Sequence, residues 1–291
     1  MTRAKIAVGL WLLACILCGT VIAGNGFMER FDPAQQKLLA SMDKYRYFGI
    51  YERGTCFLDT EQPADEYPEA DCVKQGTGTS VLIVGDSYAA HLYPGLSQIL
   101  EGTDYQLTQA TKASCSYVLP YKLAKQSCRD FRKYVVDDLI PRMKPDIIIY
   151  SEFWTRIQDS ADLTERMETA IDGFRSTGSR VVLSGTIPRF FSDVPRLLVI
   201  GGYTAGSSGD IWLPCRDDSV VSGDLQTAAR TEGVQYVQMD ANTQRRAAGS
   251  ADRLFCLAAT RDGPLHWDPG HMTLAGSKLY GAYLWSQIST P

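Results

Sequence analysis

Histidine is scarce in this chain, three residues in 291, and no Cys-x-x-Cys pair occurs beyond residue 23. Structural and catalytic zinc sites draw on clustered cysteine and histidine, so the usual ligand sets of a metal centre are missing. Cationic excess is missing too: 29 lysines and arginines face 33 acidic residues, for a net charge of −4. A chain with that balance has no general attraction to a phosphate backbone, which argues against nucleic acid as a partner. Internal repeats and low-complexity tracts are absent, which excludes solenoid, collagen-like and coiled-coil architectures. Asparagine is rarer still, at Asn25 and Asn242 only. What remains is the make-up of an ordinary folded protein, 45% hydrophobic and 21% charged. Its length suits one large domain with a short extension.

Long apolar runs are limited to one. Arg3 and Lys5 precede an uncharged stretch from Ile6 to Ala23, whose 18 residues at about 1.5 Å each nearly cross a hydrocarbon core of about 30 Å. This is an export signal or a membrane anchor. Val21-Ile22-Ala23 before Gly24 has the small-residue character of a signal-peptidase site, but the run is longer than the roughly 7–15 residues of a cleaved signal. The reading favours an uncleaved anchor, with cleavage and release to the periplasm as the alternative. Positive charge on the short N-terminal side would keep that side in the cytoplasm and the body outside. Leu12-Leu13-Ala14-Cys15 is a poor lipidation site, because the run continues past the cysteine. The expected organisation is therefore a signal or anchor at 1–23, a linker and lead-in at 24–55, and one folded body at 56–291.

Cys15 and Cys18 lie in the apolar run, which leaves Cys56, Cys72, Cys115, Cys128, Cys215 and Cys256. An even number in an exported chain points to disulfides. Neighbours along the chain close the smallest loops, so the expected pairs are Cys56–Cys72, Cys115–Cys128 and Cys215–Cys256. Metal binding is not expected.

The body alternates between strand and helix patterns. Ser80 to Val84 is short, apolar and β-branched, as a fully buried parallel strand requires, and Tyr88 to Leu100 follows with helical spacing. Further strands are expected at Tyr105–Ala110, Asp146–Tyr150, Arg180–Ser184 and Val234–Met239. Helices are expected near Arg129–Met143, Asp162–Thr177, Gly223–Thr231 and Thr273–Gln287. Five strands separated by helices imply a three-layer α/β/α domain on a parallel sheet with right-handed crossovers. Residues 185–220 break the rhythm with glycines and prolines and read as a long surface excursion near the site.

The chemistry is carried by Gly85-Asp86-Ser87 and Asp268-Pro-Gly-His271. Ligands of parallel α/β sheets bind at the carboxyl ends of strands, where Ser87 stands between the first core strand and a helix. A serine hydroxyl needs a base near neutral pH; a histidine supplies it, and a carboxylate fixes that histidine's tautomer. Asp268 and His271 are three residues apart and reach one another locally. Either motif alone is more simply a helix cap, but the two together, in this order at opposite ends of one α/β domain, favour a Ser87–His271–Asp268 relay.

With these residues in place, the sequence resembles the SGNH (GDSL-like) hydrolase superfamily, and within it the extracytoplasmic SGNH domain fused to or partnered with acyltransferase-3 membrane proteins. The resemblance rests on Val81-Leu-Ile-Val-Gly-Asp-Ser-Tyr-Ala-Ala-His91 and His266-Trp-Asp-Pro-Gly-His-Met-Thr-Leu-Ala-Gly276. It is supported by Lys112-Ala-Ser-Cys115, Asp146-Ile-Ile-Ile-Tyr-Ser-Glu-Phe-Trp154 and the lead-in Cys56-Phe-Leu-Asp59. It runs from about Cys56 to the C-terminus. It implies a flavodoxin-like sheet, Ser87 as nucleophile, His271 as general base and Asp268 as its orienting carboxylate, with no cofactor. The chain departs from the classical pattern in its oxyanion donors: a glycine of block two is replaced around Ser114-Cys115, and block three ends on Trp154 with no asparagine. Beyond Ser87's own N–H, the backbone around Ser114 is the remaining candidate, and one such donor is worth about 10²–10³ in rate.

Weaker candidates are His91, one helical turn after Ser87, for substrate contact, and Trp154 and Arg156, which follow a strand end, as the floor of an acyl or sugar site. His266 competes with His271 but lacks the spacing. Glu152 and Asp240 read as solvated or capping residues. The resemblance implies an anchored periplasmic O-acyltransferase that acetylates a cell-envelope polysaccharide through an acyl-serine, using an acyl donor supplied with a separate multispanning acyltransferase-3 partner. An SGNH carbohydrate esterase or deacetylase is the alternative, and a noncatalytic glycan-binding assembly module the second.

Overall fold

The computed structural model describes residues 2–118, 124–157, 163–203, 209–247 and 253–289. Its strands, in chain order, are β1 Phe57–Leu58, β2 Thr79–Gly85, β3 Tyr105–Lys112, β4 Ile147–Ser151, β5 Arg180–Ser184, β6 Ile211–Pro214, β7 Gln235–Val237, β8 Gln244–Arg246, β9 Leu254–Thr260 and β10 Gly263–Pro264.

The central sheet is parallel throughout in the order β1-β3-β2-β4-β5-β7. The five expected strands are β2, β3, β4, β5 and β7, arranged as in flavodoxin. The sixth, β1, was not expected, because two residues are too few to show a period; Cys56–Cys72 and the edge of β3 hold it in place. Residues Val81 to Val84 are wholly buried, and their alternation builds both outer layers. Leu82 and Val84 face Phe131, Val135, Ile171 and Phe174, while Val81 and Ile83 face Leu92, Leu96, Leu284 and Ile288. The chain leaves β2 for β3 on one side and returns to β4 on the other, so the carboxyl end of β2 is the switch point where such sheets open a crevice.

The expected helix from Tyr88 to Leu100 is two, Ser87–Ala90 and Tyr93–Leu100. Pro94 has no N–H to continue the first into the second. Residues 185–220 are not a bare surface excursion. Val194–Ile200 is a helix whose Val194 and Leu198 pack with Phe190 and β6. β6 joins β8, β9 and β10 in a second, antiparallel sheet. The pairing of β6 with β9 spans some forty residues of sequence, so no local pattern announces it; Cys215–Cys256 crosslinks the two strands.

Residues 24–55 do more than link. Asp32 caps the helix Pro33–Ala40, accepting from Gln35 N at 2.8 Å, and Leu38 buries against the second sheet's cluster. The next helix, Lys44–Ile50, buries Tyr47, and Tyr51 follows it into a cluster with Phe57, Ala90 and Trp267. Before these, the helix Thr2–Ala23 carries the apolar window Ile6–Ala23, with side chains exposed on all sides and enough length to cross a bilayer.

One contact brings the two ends of the body together. The final helix, Leu274–Ser289, crosses Tyr93–Leu100 so closely that a Cβ on Gly95 would lie 1.9 Å from the Ser277 carbonyl oxygen. Ser277 Oγ accepts from Gly95 N at 2.8 Å. The helix after His271 is thereby seated on the helix after Ser87.

Candidate active site

Ser87 is set by the turn before it. Gly85 has φ +139°, and a Cβ there would lie 1.7 Å from the Ser151 carbonyl oxygen, so only glycine closes β2 against β4 at this point. Asp86 follows, buried. Its carboxylate accepts from Tyr88 N at 2.9 Å and Phe153 N at 3.1 Å, tying the end of β2 to the end of β4. Burial pushes the Asp86 carboxyl up, and those two N–H groups oppose the rise. Ser87 then opens the helix, half-buried at the rim.

On the loop after β10, the Asp268 carboxylate accepts from Gly270 N at 2.7 Å and His271 N at 2.6 Å, which folds the turn around it. Its second oxygen lies 2.7 Å from His271 Nδ1, and His271 Nε2 lies 2.8 Å from Ser87 Oγ. Burial alone would raise the Asp268 carboxyl, but the His271 ring and the two backbone N–H groups outweigh it and hold the carboxyl below its ordinary range. It stays ionised, as an orienting carboxylate must. Arranged in this way, the three groups can take a proton from the serine hydroxyl and return it to a leaving group.

The imidazole is backed by aromatic rings that sequence reasoning missed. Trp267 stacks on His271 at 5.5 Å between centroids, and Tyr47 stacks on Trp267 at 5.6 Å. The Tyr51 hydroxyl accepts from Trp267 Nε1 at 3.1 Å and donates to the Met272 carbonyl. Trp267 stands beside Asp268 in the sequence, but Tyr47 and Tyr51 come from the segment read as a linker, with no local signal to mark them. On the other flank Tyr88 stacks on Phe153 at 4.9 Å, and the Arg156 and Arg189 guanidinium groups lie over that ring.

The weaker candidates separate by burial. His91 is completely buried beside Tyr88, with its ring 6.1 Å from that of His271, and therefore offers no surface to a substrate. Burial and the neighbouring His271 and His266 keep His91 far below the usual histidine range, hence neutral. His266 is buried against Phe190 and Tyr280 and lowered to about 4 by burial, so it does not compete as a base. Trp154 does not floor the site: it is buried against Tyr150, and its indole N–H donates to the Ser184 carbonyl at 2.8 Å. Arg156 is exposed, with a long 3.4 Å contact to the Ser114 carbonyl. Ser114 sits at the carboxyl end of β3 with φ +56°, the left-handed conformation that glycine adopts most readily. Among the described residues neither its N–H nor that of Ser87 has a hydrogen-bond partner.

Glu152 and Asp240 are buried rather than solvated. Glu152 accepts from Ser116 Oγ at 2.7 Å and Tyr117 N at 3.0 Å, bracing the loop that carries Ser114; Cys115–Cys128 clamps the same loop. Burial, helped by the Asp86 charge, raises the Glu152 carboxyl to about 8 from an ordinary 4.5. The folded state then holds a proton that the unfolded chain has released, so this group's contribution to stability is largest below about pH 4.5 and falls as pH rises toward 8. The slope from this one group is at most about 1.4 kcal/mol per pH unit. Glu152→Gln, which cannot ionise, is expected to flatten that decline; urea midpoints from pH 5 to 8.5 check it, and an unchanged slope would refute the assignment.

A family model described as the SGNH domain (fused to AT3 domains) matches residues 55–285. No curated protein matches the sequence. Among solved structures, the periplasmic domain of the Salmonella ser. Paratyphi A lipopolysaccharide acetyltransferase aligns over 86% of this chain and 97% of its own, with 18% identity and a TM-score of 0.66. At that identity the likeness establishes the fold. A carbohydrate acetylesterase family member from Sinorhizobium meliloti aligns more loosely, over 72% of this chain and 97% of its own, at 11% identity and a TM-score of 0.44.

Proposed function

From the premise that this chain belongs to the family of SGNH domains found fused to AT3 domains, and so is an acyltransferase or serine esterase, we propose that it is an anchored periplasmic O-acyltransferase. Its acceptor is a cell-envelope polysaccharide, and acetyl is the group moved. The observation that carries the reading is the continuous relay from Asp268 Oδ2 through His271 to Ser87 Oγ, at 2.7 and 2.8 Å.

Ser87 gives its proton to His271 Nε2 as its oxygen attacks the carbonyl carbon of the acyl donor. The tetrahedral oxyanion forms beside the Ser87 and Ser114 N–H groups, at the positive end of a helix. Collapse breaks the bond to the leaving group, which takes the proton from Nε2 and departs, leaving an acyl-serine. A sugar hydroxyl then gives its proton to Nε2 and attacks the acyl carbon. The ester passes to the sugar, and the proton returns to Ser87. Asp268 holds Nδ1 protonated throughout, so that Nε2 is the free base at each attack.

The location is supported by the apolar N-terminal helix behind Arg3 and Lys5 and by three disulfides, which persist in oxidising compartments. The family's fusion to AT3 domains supports a multispanning partner of the acyltransferase-3 kind that presents the donor across the membrane. The lipopolysaccharide acetyltransferase likeness supports the choice of acceptor class.

The full chain in detergent, given p-nitrophenyl acetate with and without envelope polysaccharide, tests the reading. Transfer predicts slow nitrophenol release alone, faster release with glycan, and label on the glycan. Rapid release to water that glycan leaves unchanged would assign an esterase instead.

A further inference from the structure

A cavity of about 950 Å³ lies away from Ser87, between the segment 37–50, the second sheet and the start of the last helix. None of Ser87, Asp268 or His271 lines it. Its volume is at the upper end of ordinary ligand pockets.

Two kinds of surface meet there. The floor is apolar, built by Leu38, Leu198 and Ile211 of the second sheet's cluster together with Ile50 and Leu279. The rim carries Lys37, Arg46, Arg261 and Lys278, all exposed, against one carboxylate, Asp262. None of the four cations is in a salt bridge among the described residues, in a chain whose net charge is −4. Cations gathered in this way around a greasy floor suit a ligand that is anionic at one end and apolar at the other. A polyanionic sugar would satisfy the rim and waste the floor; a neutral acyl chain would do the reverse.

The chain's own connectivity favours a lipid. The apolar window ends at Ala23 and the first lining residue is Lys37. Those 14 residues, part of them helical, span at most about 50 Å even when extended. With the helix Thr2–Ala23 in a bilayer, the cavity is tethered within reach of its surface, where exposed cations are attracted to anionic lipid.

We propose that this groove binds an anionic phospholipid, with the phosphate at the Lys37–Arg46–Arg261–Lys278 rim and the upper acyl chain on the Leu38–Leu198–Ile211 floor. Tyr47 forms one wall and, through Trp267, stands two rings from His271. A lipid in the groove therefore rests against the same aromatic pile that backs the base, and the body is held close to the membrane in one orientation.

The test uses the full chain in neutral-detergent micelles and native mass spectrometry, with dihexanoyl-phosphatidylglycerol as the probe below its micellar concentration. The expected result is one bound probe, at least about tenfold tighter than dihexanoyl-phosphatidylcholine. The triple variant Lys37→Glu, Arg261→Glu, Lys278→Glu is expected to lose at least about tenfold in affinity, while Lys133→Glu on a distant helix leaves it unchanged. Because all three side chains are exposed, folding should survive. Should the triple variant misfold, the milder pair Arg261→Gln, Lys278→Gln tests the same rim, with an unchanged thermal midpoint and severalfold weaker binding expected. Equal retention of the zwitterionic lipid overturns the proposal, as does equal binding of glycerol 1-phosphate, which lacks the acyl chain. Displacement of the probe by oligogalacturonate at matching affinity would also overturn it and assign the groove to an acidic glycan. None of these outcomes depends on whether Ser87 transfers an acyl group.

Discussion

Ser87→Ala is expected to abolish the acyl-enzyme and to lower turnover of an acetyl donor by about 10⁴-fold or more, the scale on which hydrolases lose rate when the nucleophile of a triad is removed. The reason is local. Among the described residues, the only hydrogen bond of the Ser87 side chain runs to His271 Nε2, and alanine leaves nothing to carry the acyl group. The turn that presents it depends on Gly85 and on the Asp86 carboxylate, neither of which touches the hydroxyl. The variant should therefore fold, with an unchanged melting midpoint, while intact mass spectrometry shows no acetyl adduct on exposure to donor. Envelope acylation that survives this substitution would mean that the relay is unused and would favour a binding module over an enzyme.

Asp268→Asn is expected to cost about 10³–10⁴ in kcat with little loss of stability. An amide keeps an acceptor oxygen for the N–H groups of Gly270 and His271, so the turn persists. Toward Nδ1, however, it presents N–H instead of a carboxylate oxygen. His271 then places its proton on Nε2, the nitrogen that must accept from Ser87. The loss also removes the negative charge that balances the imidazolium at each attack. Steady-state rates of the variant and of Asp268→Ala separate the two contributions, because alanine removes the charge without enforcing the wrong tautomer. Losses under tenfold in both would show that Asp268 only caps its turn.

Legibility in the sequence followed the distance over which each signal acts. The core strands of the parallel sheet were readable because a strand buried on both faces needs an unbroken run such as Val81 to Val84, and β4 repeats that signature with Ile147, Ile148 and Ile149. The Asp268–His271 pair was readable because a carboxylate and an imidazole three residues apart meet whatever the rest of the fold does. The second sheet was not, since β6 has neighbours only once β9 is brought to it. Nor was the packed lead-in, where Leu38, Tyr47 and Tyr51 find their partners far along the chain.

His91 and Trp154 show the same limit from the side of function. Position in the sequence placed both near the site, His91 by one helical turn and Trp154 by a strand end. Which way each points depended on the layers above and below, and both turned inward. Glu152 went the same way: a charged residue at a strand end ordinarily meets water, but here the loop from Ser114 to Val118 closes over it and supplies a hydroxyl and an N–H.

By itself, then, the amino-acid order determined an alternating α/β chain, an apolar leader, the crosslinkable cysteines and two short motifs whose residue types suit acyl transfer. All of these are written in contacts between near neighbours or in the burial preference of single segments. Only the tertiary structure decided that Ser87 and His271, 184 residues apart, lie within hydrogen-bond reach. It also decided that Trp267 and the lead-in tyrosines back the imidazole, and that a cation-rimmed groove opens behind them. Each of these results from how segments distant in sequence pack, as where Gly95 lets the last helix settle against Tyr93–Leu100, and no local pattern encodes that approach.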